Sequence, residues 1–297
     1  MRTLVTGAAG FIGSRLSEAL LSHGHEVVGV DDLSTGRADS VPSGVELLIG
    51  DVVDMPSLGQ VDLIYHCAAS YKDREAWEQD ARTNVLGTIR VVREAQRWDA
   101  RLVYFQTSLC YGLTPESPVP LGAPLDPRGS YAVSKTAGER YIRDSGVAYV
   151  SLRLANIYGP RNLSGPVPTF YKRLTENKPV TIVDSRRDFV FVDDLVWVAV
   201  RAGAAGYGPY HVASGSDVSI AEVYCAVASA MGLTVTVPAI QPRGDDDAPS
   251  ILLDPSETER TFGWTARTPL VDGIARAVEW YRVNDVAETF THLRMAG

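Results

Sequence analysis

A tyrosine and a lysine four residues apart are the side chains of this sequence best suited to acid and base chemistry. Tyr131 and Lys135 lie in the stretch GSYAVSKTAGERYI, whose pattern predicts a helix that carries both on one face. A phenol with a pKa of about 10 is a poor base at neutral pH, and a nearby ammonium favours its ionised form. The pair therefore predicts Tyr131 as the acid and base and Lys135 as the group that lowers its pKa.

A hydroxyl pair follows the buried strand that is predicted in the stretch VYFQTSLCYG. Thr107 and Ser108 could hydrogen-bond a ligand at the end of that strand, and the stretch contains no carboxylate. A Tyr and a Lys at this spacing are common on solvated helices, so the pair alone is weak. Its combination with these hydroxyls and with a glycine-rich turn is what favours a reactive site.

Three glycines near the start of the chain, Gly7, Gly10 and Gly13, lie in VTGAAGFIGSRLSEALLSHG between a predicted strand and an amphipathic helix. Glycines in this context allow the tight turn and close backbone approach that a pyrophosphate needs at a helix N-terminus. Asp31 follows about twenty residues later at a strand end, where a carboxylate can bind both ribose hydroxyls of an adenosine. Because a carboxylate would repel a 2′-phosphate, we expect NAD rather than NADP, a preference that Arg37 slightly weakens.

Short apolar runs alternate with helix-period segments through the first half of the chain. These runs begin at Thr3, Glu26, Val45, Val61, Arg101 and Val147. Such alternation is typical of a doubly wound parallel sheet with helices on both faces. We therefore predict an α/β fold, a Rossmann-type doubly wound parallel sheet with a smaller C-terminal lobe. Asp51, at the third strand end, is expected either over the adenine or as a helix cap.

Composition and charge exclude several classes of protein. With 297 residues and 45% hydrophobic content the chain can bury a substantial core. Its 36 acidic and 28 basic residues give a formal charge of -8, the wrong sign for general nucleic-acid binding. The three cysteines suggest neither disulfides nor zinc, no apolar run could cross a bilayer, and MRTLVTG enters a strand without a signal sequence. We therefore expect a cytoplasmic protein that binds no nucleic acid, metal or membrane.

Motifs along nearly the whole chain give it a family resemblance. In order they are TGAAGFIGS, VDDLSTG, GDVVD, YHCAA, TNVLGT, QTSLCYG, YAVSK, RLANIYGPR, RDFVFVDDL and GWTARTPLVDGIARAVEWY. The chain resembles the extended short-chain dehydrogenase/reductase family, specifically its NAD-dependent nucleotide-sugar epimerases and dehydratases. From about Arg161 the sequence changes to loops rich in Pro and Gly with short strands, which predicts a cofactor-binding domain over residues 1–160, with 188–212 packing back on it. Residues 161–187 and 213–297 would form the nucleotide-sugar-binding lobe.

The resemblance also implies roles for individual residues. Thr107 matches the family's catalytic Ser/Thr, Tyr131 its base and Lys135 the residue that holds the nicotinamide ribose. Besides these three, the implied NAD-binding positions are Gly7, Gly10, Phe11, Ile12, Gly13, Asp31, Asp32, Ser34, Gly36, Asp51, Val52, Cys67, Ala68, Ala69 and Asn84. The implied substrate-binding positions are Ser108, Asn156, Val167 in a turn with Pro168, Arg187 and Arg243.

Two of these matches, and one further residue, leave alternatives. Arg187 could instead form a structural salt bridge. Relatives usually carry a phosphate-binding Arg two residues before a Gly-Asp pair, whereas Arg243 stands directly before Gly244. Cys110 occupies a place where the family usually has a small apolar residue, so we interpret it as buried packing rather than as a nucleophile.

The implied reaction is epimerisation of a nucleotide-diphosphate sugar, a UDP-sugar, at C4 through a transient 4-keto intermediate. The alternatives are a 4,6-dehydratase or UDP-glucuronate decarboxylase, and a catalytically inactive NAD-binding regulator. Similar dehydratases place an Asp and a Glu directly after the catalytic Thr, and similar decarboxylases keep that Glu, whereas Ser108 and Leu109 stand there here. Neither can transfer a proton near neutral pH, which favours epimerisation unless Asp73 or Glu116 supplies the acid. By resemblance we also expect a homodimer built on the helices around 84–96 and 131–143.

Overall fold

The computed structural model describes residues 1–114, 116–244, 248–284, 286 and 288–290. The strands are β1 (Arg2–Thr6), β2 (Glu26–Asp31), β3 (Val45–Ile49), β4 (Leu63–His66), β5 (Arg101–Thr107), β6 (Tyr149–Leu154), β7 (Asn156–Tyr158), β8 (Ile182–Val183), β9 (Arg186–Phe191), β10 (Gly208–Val212), β11 (Asp217–Ser219), β12 (Ile240–Gln241) and β13 (Ser250–Ile251). The α-helices are α1 (Phe11–Ser22), α2 (Trp77–Asp80), α3 (Thr88–Trp98), α4 (Ser130–Asp144), α5 (Pro166–Thr175), α6 (Val192–Ala202), α7 (Ile220–Met231), α8 (Ser256–Phe262) and α9 (Leu270–Val283).

A seven-stranded parallel sheet forms the centre of the molecule, in the order β10-β6-β5-β4-β1-β2-β3. The strand order reverses between β1 and β4, so the crossovers on either side leave a crevice at the carboxyl ends of these strands. The predicted fold class, a Rossmann-type doubly wound α/β sheet, is confirmed. The crevice is where ligands of such sheets bind.

Alternation along each strand divides the core between the two faces of the sheet. Leu4 packs in the cluster that includes Val91 of α3, whereas the next residue, Val5, packs in the cluster that includes Leu16 of α1 and Leu195 of α6. Successive side chains of a strand point to opposite faces of the sheet. Because both faces of this sheet are buried, odd and even positions of each strand must both be apolar. This accounts for the continuous apolar runs in the sequence.

The last strand of the sheet comes from late in the chain. β10 pairs in parallel with β6, from Gly208 beside Val150 to Val212 beside Leu154. The intervening residues 156–207 include α5, which packs against α7, and α6, which packs against α1. The chain therefore leaves the sheet after β6, builds part of a second layer and returns to finish the sheet.

A smaller assembly covers the carboxyl end of the sheet. β9 lies at its centre, antiparallel to β11 and parallel to both β7 and β13, and helices α5, α7 and α9 pack together beside it. Ser219 begins α7 with a reciprocal capping box, in which its hydroxyl accepts from the Glu222 amide and the Glu222 carboxylate accepts from the Ser219 amide. This assembly therefore has its own small sheet and its own helical layer.

A π-helical segment, Ala81–Gly87, joins α2 to α3. Single π-helical turns are rare and often occur at functional sites. Here the segment carries Asn84, which is fully buried, toward the loop that follows β4. The insertion thus changes which side chains of this long helix face the crevice.

We predict that Gly13→Ala destabilises the fold, because a Cβ at this position would lie 2.0 Å from the Gly7 carbonyl oxygen. Relief requires α1 to move away from the turn, and overpacking of this kind costs about 2–3 kcal/mol. Urea unfolding should show the loss in the free energy of unfolding. Gly122→Ala is the matched control, since no heavy atom lies within 4 Å of its added Cβ. Equal stability of the two variants would contradict the prediction.

Candidate active site

The glycine-rich turn lies directly against the loop that follows β4. Gly7 has φ +69, and a Cβ there would lie 2.7 Å from the Ala68 amide nitrogen. Only glycine combines this left-handed conformation with so close an approach. The turn and the predicted cofactor wall of Cys67, Ala68 and Ala69 therefore form one continuous surface at the carboxyl ends of β1 and β4.

The N-terminus of α1 points into this surface without a side-chain cap. Gly10 is the N-cap residue and offers no side chain to the amides of the first turn, which includes Phe11 and Ile12. First-turn amides have no partner within the helix, and they carry the positive end of its dipole. The arrangement fits a pyrophosphate, as the sequence predicts.

Asp31 is more than a ribose-binding candidate. Its carboxylate accepts hydrogen bonds from the Ala9 amide at 2.9 Å and from the Leu33 amide at 2.8 Å, and burial raises its pKa. It therefore ties the glycine-rich turn to the loop after β2. Each carboxylate oxygen has a second lone pair, so the hydroxyls of a ribose can still be accepted.

The neighbouring predicted cofactor residues shape the same loop. Asp32 accepts from both the amide and the hydroxyl of Ser34, which closes a small turn. Gly36 lies against Ala9, so the loop packs on the glycine-rich turn. Arg37 forms an exposed ion pair with Asp39 at 2.7 Å.

The third predicted strand-end carboxylate, Asp51, has structural partners. It accepts from the Val53 amide at 2.8 Å and pairs with Arg82 at 2.9 Å. Val52 is buried against the π-helical segment at Gly87. Asp51 therefore links the loop after β3 to the helix that carries Asn84, and its place over an adenine stays a prediction.

Thr107 stands at the end of β5 and begins a short 3₁₀ turn, Ser108–Tyr111. Its Oγ1 accepts from the Leu109 amide at 3.2 Å, and its own amide donates to the Gln106 side chain at 2.8 Å. In the part of the chain that the structure describes, no acceptor takes the Thr107 hydroxyl proton. The hydroxyl proton is therefore available for donation to a ligand.

Tyr131 and Lys135 lie on α4 as the spacing predicts. The Lys135 side chain is 2% exposed, and its Nζ stands 3.9 Å from the centre of the Tyr104 ring. Burial lowers the pKa of Lys135 to about 7, against the opposing influence of Cys67 and Glu139. Burial also raises the pKa of Tyr131. A charge on either group is therefore costly here until a ligand supplies counter-interactions.

Asn84 holds the cofactor wall against α4. Its side-chain oxygen accepts from the Ser70 amide at 2.9 Å, and its side-chain nitrogen donates to the Ser70 carbonyl at 2.9 Å and to the Ser134 hydroxyl at 3.0 Å. Ser134 in turn donates to the Tyr131 carbonyl at 3.0 Å. Asn84 therefore sets the position of the loop after β4 relative to the first turn of α4, where Tyr131 stands.

Sequence reasoning missed two groups near Tyr131. The Tyr71 ring stands edge-on to the Tyr131 ring, with centres 6.3 Å apart. Asp80 is 1% exposed and accepts from the Ser70 hydroxyl at 2.7 Å, while its Oδ2 is buried without a hydrogen-bond partner among the described residues. Neither residue has a local signal, because each reaches the site through loop and π-helix geometry.

The predicted substrate residues lie on several elements of the structure. Asn156 donates to the Asp188 carbonyl at 3.1 Å, Val167 is 1% exposed in the first turn of α5, and Arg187 donates to the Ala248 carbonyl at 3.0 Å. Ser108 is 6% exposed in the 3₁₀ turn. Arg243 is exposed. Contact of these five residues with a nucleotide sugar stays a prediction.

The two candidate replacement acids lie on the surface of the protein. Asp73 and Glu116 are both exposed, and Asp73 accepts from the Glu75 amide in a surface turn. Cys110 is fully buried, and burial raises the pKa of its thiol to about 12.

In the described residues no group of three or more His, Cys, Asp or Glu side chains could hold a metal ion. No helix there is both long and apolar enough to traverse a bilayer.

Comparison with known proteins gives consistent matches. The model of the NAD dependent epimerase/dehydratase family matches residues 3–213. A UDP-glucose 4-epimerase of Mycolicibacterium smegmatis is 36% identical, over 95% of this chain and 99% of that protein. The structure of the Bordetella bronchiseptica enzyme WbmH in complex with NAD+ is 44% identical with a TM-score of 0.90, over 95% of this chain and 98% of that one. WbmG of the same organism, in complex with NAD and UDP, is 39% identical with a TM-score of 0.89, over 100% and 99%.

We predict that Asp31→Ala removes most of the NAD that copurifies with the protein. The change deletes both the ribose acceptor and the acceptor for the Ala9 amide, so the turn loses its shape and the dinucleotide loses a partner. Absorbance and mass analysis of the denatured protein measure the bound NAD. Asp39→Ala, in the same loop and paired only at the surface with Arg37, is the control. Full NAD content in Asp31→Ala would refute this role.

Proposed function

The chain belongs to the NAD dependent epimerase/dehydratase family, and we propose that it epimerises a UDP-sugar at C4. Its activity is NAD-dependent epimerisation of a nucleotide sugar, in keeping with its similarity to a UDP-glucose 4-epimerase and to an enzyme that binds NAD and UDP. The position C4 and the assignment of individual residues are the proposed part. They rest on the site at the carboxyl ends of β4 and β5.

One observation carries the choice of reaction. The turn that follows Thr107 consists of Ser108, Leu109, Cys110 and Tyr111, and none of these is a carboxylic acid. Removal of a C5 proton and expulsion of a C6 hydroxyl need such a group beside the sugar, whereas oxidation and reduction of an alcohol do not. Thr107 and Tyr131 suffice for the latter. The local chemistry therefore supports epimerisation over dehydration. Leu109 stands where similar decarboxylases keep a Glu, which favours epimerisation over decarboxylation as well.

Three residues have distinct roles in the proposed reaction. Tyr131 takes the proton of the C4 hydroxyl while Thr107 donates a hydrogen bond to the same oxygen. NAD supplies a hydride acceptor that returns the hydride later, so it is unchanged overall. The ketone turns over in the pocket and presents its other face, and Tyr131 returns the proton to the oxygen. Lys135 stabilises the ionised form of Tyr131 and hydrogen-bonds the nicotinamide ribose.

The remaining residues bind and orient the two ligands in this proposal. The dinucleotide contacts Gly7, Gly10, Phe11, Ile12, Gly13, Asp31, Asp32, Ser34, Gly36, Asp51, Val52, Cys67, Ala68, Ala69 and Asn84. The nucleotide sugar contacts Ser108, Asn156, Val167, Arg187 and Arg243. In this division residues 1–160 and 188–212 form the cofactor domain, and residues 161–187 and 213–297 form the sugar-nucleotide lobe.

We also propose a cytoplasmic homodimer. Tyr141 on α4 and Leu86 on the π-helical segment are each 52% exposed, and a shallow pocket between α3 and α4 is lined by Ile89, Val92, Arg93, Gln96, Tyr141, Asp144 and Ser145. Apolar side chains on adjacent helices suit helix-to-helix pairing of two copies. The cysteines Cys67, Cys110 and Cys225 are all unpaired, in keeping with a reducing compartment.

The proposed reaction predicts a product of the same mass as the substrate with an inverted C4 centre. The purified holoenzyme is incubated with a panel of UDP-sugars, and products are read by mass spectrometry and by the C4 proton coupling in NMR. Tyr131→Phe and Thr107→Val should each lower turnover by about 100-fold or more, since proton transfer and hydroxyl positioning are lost. Loss of water or carbon dioxide from the substrate would overturn the assignment.

The proposed dimer predicts that Tyr141→Glu yields a monomer by light scattering at micromolar concentration, because a charge would be buried against the partner's helix. Val271→Glu, at a position on α9 that is 63% exposed, is the control and should stay dimeric. A monomeric wild-type protein would contradict the proposal.

A further inference from the structure

A buried chain of polar groups connects the catalytic helix to the last strand of the sheet. Glu139 on α4 accepts from Arg153 on β6 at 3.0 and 3.1 Å and from the Ser151 hydroxyl at 2.5 Å. Arg153 also donates to the Tyr111 hydroxyl at 2.7 Å, which lies 2.5 Å from the Nε2 of His211 on β10.

The hydrogen bonds of this buried polar network can be assigned one consistent donor-to-acceptor direction. His211 Nδ1 stands 2.9 Å from the Asp254 carbonyl oxygen, so it carries the proton and Nε2 accepts from Tyr111. Burial lowers the pKa of His211 to about 4, so the ring is neutral at physiological pH. Tyr111 therefore accepts from Arg153 and donates to His211. Both oxygens of the Glu139 carboxylate are held by Arg153, which fixes the side chain in one orientation.

Glu139 stands one helical turn beyond Lys135 on the same face of α4. The other groups that face the Lys135 ammonium are the Tyr104 ring, the Cys67 thiol and the His66 ring. Burial lowers the pKa of His66 to about 3, and His66 is held between the hydroxyls of Thr6 and Thr88. In the described part of the chain, Glu139 is therefore the carboxylate among the groups that act on Lys135.

We propose that Glu139 is a positioning residue, anchored by Arg153 and Tyr111, that keeps Lys135 charged and aligned with Tyr131 and the cofactor ribose. The same anchor reaches the 3₁₀ turn that Thr107 begins, because Tyr111 is the last residue of that turn. One hydrogen-bonded network thus fixes the relative positions of Tyr131, Lys135 and Thr107. This inference rests on the proposed function for the roles of Lys135 and Thr107.

The direction of the effect follows from the charge on Lys135. Because its pKa is lowered to about 7, the ammonium is present below that pH and is lost as the pH rises. Glu139 acts against this loss. Removing the negative charge should move the loss of the ammonium to lower pH. A purely structural role for Glu139 would reduce activity equally at every pH.

The test compares the holoenzyme with its Glu139→Gln variant in two measurements across pH. The alkaline limb of the kcat profile should move to lower pH by about half to one unit. Retention of NAD after dialysis, which needs no sugar, should fall at alkaline pH and recover at acid pH. Glu139→Asp, which keeps the charge, should restore the wild-type alkaline limb. An unmoved limb with unchanged NAD retention in Glu139→Gln would overturn the proposal.

Two further variants keep the result interpretable. Glu94→Gln is the matched control, because Glu94 is equally buried on α3 and pairs with Arg90 and Arg97. Its pH profile should keep the wild-type shape, and a shift as large as that of Glu139→Gln would overturn the proposal. If Glu139→Gln fails to fold with Arg153 unpaired, Glu139→Gln/Arg153→Met removes both charges, and the alkaline limb should move in the same direction by a smaller amount because the Arg153 cation is also gone. If the wild-type protein epimerises no sugar, the C4 assignment fails, while NAD retention still decides the role of Glu139.

Discussion

Burial of the Lys135 ammonium is the constraint on which the site depends. A charged side chain is stable in a protein interior only when nearby groups replace the water that it loses. Here the Tyr104 ring lies under the ammonium, and the Tyr104 hydroxyl donates to the Lys135 carbonyl at 2.9 Å, so one strand residue both faces the charge and fixes the helix. The positions of α4 relative to β5, and of Thr107 relative to Tyr131, follow from this packing.

A second consequence of that constraint is the close approach of α4 to the π-helical segment. A Cβ at Gly138 would lie 2.7 Å from the Asn84 carbonyl oxygen, so glycine at this position lets the helix contact the backbone beside it. Asn84 then reaches both Ser70 and Ser134. The cofactor wall, the reactive helix and the sheet are therefore held in register by short contacts between backbone and small side chains.

Local sequence patterns predict many residues of this site, but almost none of the buried residues that hold them in place. The glycine spacing, Asp31 and the Tyr131–Lys135 spacing are visible in the sequence because each depends on residues close along the chain. Asp80 and the Glu139–Arg153 pair are not, because the first depends on a π-helical insertion and the second on how α4 packs against β6. The fold class was predictable from alternating apolar runs. The pairing of β10 with β6 could not be predicted, because the apolar pattern of a short strand does not show which strand it pairs with.

The late return of β10 has a consequence for synthesis of the chain. Until residue 212 has left the ribosome, β6 is the edge of an unfinished sheet, with a row of unsatisfied amides and carbonyls along an apolar strand. Such an edge is a template for pairing with other chains. A fragment that ends after the sixth strand would therefore be expected to aggregate rather than to fold as a separate cofactor-binding module. The gene cannot be divided after β6 without exposing the edge of β6 that β10 covers in the complete protein.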